Sequence, residues 1–271
     1  LKYLRQLINE CQEDNVPLLA AAQGFYYMLS VVPLVILILG VLPYLEIKPE
    51  QAMNFAASVL PGEALAVFQE TILDVISVPS GGVLTFGAIG TIWSASLGVN
   101  AFIRATNEAY NTTDKRSFLG ARFMSMGLTL LLIFVVIVTL LLPVFGNALL
   151  EMSRGWVAVP EDMNFVFQLA RWGLSVIVML IVLVGLYRLA PKKKLGFKDV
   201  WPGAILAALG WQLISWGFSV YISYFDMFSA TYGSLGGLMI LMLWFFMTGL
   251  ILIVGAEVNA LYHRYKYGEM S

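Results

Sequence analysis

Residues 234–260, SLGGLMILMLWFFMTGLILIVGAEVNA, constrain this chain more than any other stretch. Positions 235–256 carry no charged side chain, and then the chain presents Glu257. About 20 apolar residues, each rising 1.5 Å, cross a hydrocarbon core of roughly 30 Å, so the stretch predicts a transmembrane helix. A backbone in lipid has to satisfy its own hydrogen bonds, which favours further helices beside it over open sheet. Apolar runs at 18–42, 83–103, 123–145, 169–189 and 200–224 join 235–262 to predict six spans. With 59% hydrophobic and 12% charged residues, the composition excludes an ordinary soluble domain. The expected fold is all-α: a polytopic membrane protein, six transmembrane helices in one bundle, a single domain over 1–271, with short amphipathic interfacial helices.

Residues 1–14 form the first of these interfacial segments. Leu4, Leu7, Ile8 and Cys11 recur at helical spacing, opposite Lys2, Arg5, Asn9 and Glu13. Asp14 or Asn15 is placed to cap the following helix, with Pro17 in its first turn. The run at 18–42 is too long for the core of a cleaved signal peptide. Residues 44–82 read as an extracytoplasmic amphipathic segment, with Leu65, Phe68, Ile72 and Val75 opposite Glu63, Glu70 and Asp74. That segment is expected to rest on the interface or to cover an external opening.

Six spans place both termini on one side, together with the loops near 104–122 and 188–198. That side gathers Lys2, Arg5, Arg104, Arg122, Lys192, Lys193, Lys194, Arg264 and Lys266, among others, whereas the opposite side holds only Lys48, Arg154 and Arg171 among many acids. The positive-inside rule then puts both termini in the cytoplasm.

Polar side chains inside a span are costly, so their positions direct the search for a site. Gln23, Tyr27 and Ser30 share one face of the first span, and Pro33 predicts a kink just beyond them. Gly90, Ser94 and Gly98, with Gly87 leading in, form a small-residue ridge suited to packing within one chain or between two copies in a homo-oligomer. The same helix continues through Asn100, Arg104, Asn107 and Glu108, while Gln212 falls near the middle of the fifth span. Glu257 and Arg104 are expected at similar depth, where a contact between them would close the inner end of the bundle. The candidate substrate-binding or gating set is therefore Gln23, Tyr27, Ser30, Pro33, Asn100, Arg104, Gln212 and Glu257. His263 reads as an interfacial residue. No catalytic set, metal or cofactor is expected, and the single cysteine, Cys11, excludes an internal disulfide and a cysteine-based metal site.

Three blocks, AAAQGFYYMLSVVPLVIL (20–37), WSASLGVNAFIRATNEAYN (93–111) and YGSLGGLMILMLWFFMTGLILIVGAEVNA (232–260), resemble the YihY/virulence factor BrkB family. The resemblance covers essentially the whole chain and implies a six-helix inner or plasma membrane protein; it brings no catalytic residues. The family has carried the label ribonuclease BN, which this sequence does not support. RNA hydrolysis requires clustered metal ligands or a positioned acid–base pair, and the chain holds one histidine. The expected function is a transporter or translocator of a small or lipid-like amphiphilic substrate, with the lipid bilayer as partner and no specific nucleic acid. The alternatives are a structural or regulatory membrane protein and a membrane-bound enzyme.

Overall fold

The computed structural model describes residues 2–41, 81–112, 116–134, 164–224 and 234–268. Most of the expected extracytoplasmic segment, and the far end of the 123–145 run, lie outside the described residues. Within them, every regular element is helical: α1 (Lys2–Glu13), α2 (Val16–Val41), α3 (Gly81–Ala109), α4 (Phe118–Phe134), α5 (Asn164–Leu189), α6 (Phe197–Tyr224) and α7 (Ser234–Tyr267).

Four of these helices are long and apolar enough to cross a membrane, over Val16–Leu37, Gly81–Ala109, Phe197–Tyr221 and Gly237–Tyr267. Phe118–Phe134 and Val176–Leu189 are shorter apolar helices. The bundle is organised as lipid requires. Phe86, Ile89, Leu209, Leu213, Trp216 and Met239 are exposed, whereas Gln23, Thr91, Ser96, Thr129, Glu257 and Asn259 are buried. Large apolar side chains facing outward meet acyl tails at no cost, and these polar groups are kept away from them inside the bundle.

α7 is the central element and packs against α2, α3 and α6, with α1 lying against its end. Among the described residues the broadest contact is between α2 and α3, and the expected ridge makes it. A Cβ on Gly87 would stand 2.8 Å from the Leu37 backbone nitrogen, and one on Gly90 would stand 3.1 Å from Pro33. At Gly98 it would stand 2.5 Å from the Tyr27 ring. The ridge thus serves packing within the chain, where small residues let two backbones approach. The hydroxyls along this seam bond within their own helices: Thr91 to the Gly87 carbonyl at 2.7 Å, Ser96 to Trp93 at 2.8 Å and Ser30 to Tyr27 at 2.6 Å.

Elsewhere, polar side chains tie the helices together. The Tyr187 hydroxyl of α5 donates to the Leu252 carbonyl of α7 at 2.7 Å, and the Gly203 amide of α6 donates to Asn259 Oδ1 at 2.7 Å. α4 is fastened to α3 by Arg122, which donates to the Trp93 carbonyl at 3.0 Å and lies 3.8 Å above the Trp93 ring. α1 joins α2 through two residues, Asp14 and Asn15. Asn15 adopts a left-handed conformation with φ of 51°, which asparagine tolerates, and its carbonyl accepts from Leu18 N at 2.9 Å. α1 lies against the end of α7 at the end of the bundle that carries both described termini.

Candidate functional site

The expected site residues separate into two regions. Along the α2–α3–α7 contact, Gln23 is wholly buried and its Nε2 donates to the Tyr27 hydroxyl at 2.7 Å. Tyr27 packs on Phe245 of α7, with ring centroids 5.9 Å apart, and fills the space left by Gly98. Pro33 lies inside α2, against Gly90. Gln23, Tyr27, Ser30 and Pro33 thus form a packed seam. Gln212 is half-buried on α6, apart from this group.

The second region is the end of the bundle capped by α1. A cavity of about 620 Å³ opens there between the start of α2 and the end of α3, lined by Asp14, Asn15, Arg104, Asn107, Glu108 and Thr112, with Leu18 and Leu19 on its apolar side. Its wall is rigidly built. Asn107 Oδ1 accepts from the Lys192 backbone amide at 2.9 Å, tying the end of α3 to the turn between α5 and α6. Thr112 donates to the Asn107 carbonyl at 3.0 Å. Asn111 ends α3 with φ of 50°. Arg104 Nε donates to Asn100 Oδ1 at 3.1 Å, and its side chain is exposed.

The expected contact between Arg104 and Glu257 does not form. Arg104 turns toward the cavity and pairs with Asn100, while Glu257 is wholly buried and neither of its carboxylate oxygens has a hydrogen-bond partner. Equal depth along two helices says nothing about the direction each residue faces around its axis, and here the directions diverge. Glu257 instead meets Glu10 and Asp14, with one carboxylate oxygen from each of the three lying within 4.8 Å of the others. Arg264, two turns further along α7, donates to Glu10 Oε2 at 2.9 Å. Burial raises the Asp14 carboxyl above its ordinary value; Glu10 and Glu108 add to this, and Glu257 and Arg264 draw it back. Burial, with Glu257, Asp14 and Glu10 close by, pushes the Cys11 thiol up to about 11.

Sequence reasoning missed Glu10 altogether and assigned Asp14 only to capping. One signal was present: Glu10 and Asp14 stand four apart, on the same side of the first helix as Leu7 and Cys11. His263 is buried next to Tyr110 and Tyr267 at the end of the bundle, with its Nδ1 3.9 Å from Asp199 Oδ2. Lys266 holds the same aspartate at 2.6 Å.

Comparison with known proteins covers the whole of this architecture. Ribonuclease-like protein YfkH of Bacillus subtilis (strain 168) is 36% identical over 98% of this chain and 97% of its own length. A UPF0761 membrane protein of Vibrio atlanticus (strain LGP32) is 26% identical over 96% of the chain and 82% of its own. Another, from Pseudoalteromonas translucida (strain TAC 125), is 25% identical over 94% and 84%. No solved structure matches the chain. The family described as Virulence factor BrkB matches residues 7–271, and this multi-pass membrane protein belongs to it.

Proposed function

We propose that the protein is a transporter or translocator of a small or lipid-like amphiphilic substrate, crossing a bacterial plasma (inner) membrane six times with both termini in the cytoplasm. One observation carries the reading: the 620 Å³ cavity at the basic end of the bundle. It has the size of a small-ligand site and combines an apolar side, Leu18 and Leu19, with Arg104, Asp14 and Glu108. A lining of that kind suits a molecule with an apolar portion and a charged head. A purely structural bundle has no need of such a space, and this ranks the structural or regulatory alternative second.

The name ribonuclease-like belongs to a relative, and we do not extend it to this chain. The carboxylates that converge here centre on Glu257, which is wholly buried and leaves no face open to a nucleic acid backbone. The reading is tested with the purified chain in liposomes containing fluorescent short-chain phospholipids and entrapped organic ions. Movement across the bilayer that falls at least about tenfold in Arg104→Ala, with the bundle still folded, supports it. Absence of flux and of binding across the whole panel overturns it in favour of the structural alternative.

A further inference from the structure

We propose that Glu10, Asp14 and Glu257 form a binding site for a hard divalent cation, of the magnesium or calcium class. Three observations converge on it. First, the carboxylate oxygens lie within 4.8 Å of one another, so a point exists no more than about 2.8 Å from all three. Small side-chain rotations bring that distance to the roughly 2.3–2.6 Å at which calcium takes oxygen ligands, or a little less for magnesium. Second, Glu257 is wholly buried, aimed into this cluster, and has no hydrogen-bond partner on either oxygen. Asp14 Oδ2 is also buried without a partner. Three ionised carboxylates cannot satisfy one another, so either a cation or a shared proton has to stand between them.

Third, the charges do not balance. With all three carboxyls ionised, they face one guanidinium, that of Arg264, and two negative charges are left over. The other cations nearby are occupied: Lys266 holds Asp199 at 2.6 Å, and Arg104 is turned to Asn100. A divalent ion supplies the missing charge. The donors are all oxygen, which selects hard cations over zinc or copper. Because Asp14 also lines the cavity, a bound ion fixes the charge on the cavity wall.

The experiment uses the full chain in detergent, stripped with chelator and then titrated with manganese chloride at constant ionic strength, free manganese being read by electron paramagnetic resonance. The expected result is one saturable ion per chain, displaced by magnesium or calcium, with a matching rise in thermal unfolding temperature. Glu257→Gln and Asp14→Asn should each weaken binding at least about tenfold, while Glu13→Gln, an exposed acid on the same short helix as Glu10, should leave it unchanged. Asp14 sits in a turn, so its variant keeps the test decisive if the Glu257 variant does not fold. The proposal is overturned by a wild-type chain that binds no manganese saturably, including one whose unfolding responds to pH alone. Equal binding in both cluster variants overturns it too, as does equal weakening by Glu13→Gln, which would mark a diffuse acidic surface. No transported substrate enters the measurement, so this site and the transport reading fail separately.

Discussion

The seam between α2 and α3 and the end of the bundle under α1 lie in one molecule but are built differently. In the seam, glycines set the approach, Gly87 on the Leu37 backbone and Gly98 on the Tyr27 ring, and the hydroxyls close bonds within their own helices. Nothing there asks for a further ligand beyond the buried Gln23 oxygen. At the other end, three carboxylates share one arginine beside an open cavity. Shape therefore governs tolerance to change in the first region and charge governs it in the second. Substitutions that keep volume but remove charge should discriminate between them.

The largest effect should come from Gly87→Ala. The added methyl meets backbone, which cannot rotate away, at 2.8 Å, and a loss of about 3 kcal/mol is expected in thermal unfolding of the purified chain. Next comes Arg264→Gln, which strands Glu10 among like charges and should cost about 2 kcal/mol in chelator-treated protein. Glu257→Gln should act in the opposite direction. With divalent ions removed, taking one acidic group out of the crowded trio should raise stability by about 1.5 kcal/mol, and a fall of similar size would show that the two regions obey the same rule after all. Tyr27→Phe leaves the buried Gln23 amide without its acceptor and should cost about 1 kcal/mol. Ser30→Ala, whose hydroxyl bonds only to its own helix, should stay within about 0.5 kcal/mol.

What could be read from the residues follows the same division. The seam was legible because its signal is periodic: glycine and serine at intervals of four mark one helix face, and apolar length marks a span. Residues Gln23 and Tyr27, four apart, were visible as neighbours and are hydrogen-bonded. The carboxylate cluster was not legible, because Glu257 lies far along the chain from Glu10 and Asp14, and nothing local reports how α1 returns over α7. That return depends on the left-handed Asn15, read from the sequence only as a possible cap. The expected pairing of Arg104 with Glu257 failed for a related reason: hydropathy fixes height in the membrane and leaves rotation about the helix axis undetermined.

The two-residue turn at Asp14 and Asn15 has a mechanical consequence. One member of the acidic trio, Glu10, travels on α1, a helix of 12 residues, Asp14 sits in the turn itself, and the third is embedded in α7. Lifting one short rod is then enough to dismantle the whole trio at once, with the Arg264 link to Glu10 acting as the latch. Any fused sequence or lipid headgroup that tugs on this rod pulls directly on the buried charge, whereas the same tug at the far end of α2 is absorbed by glycine packing.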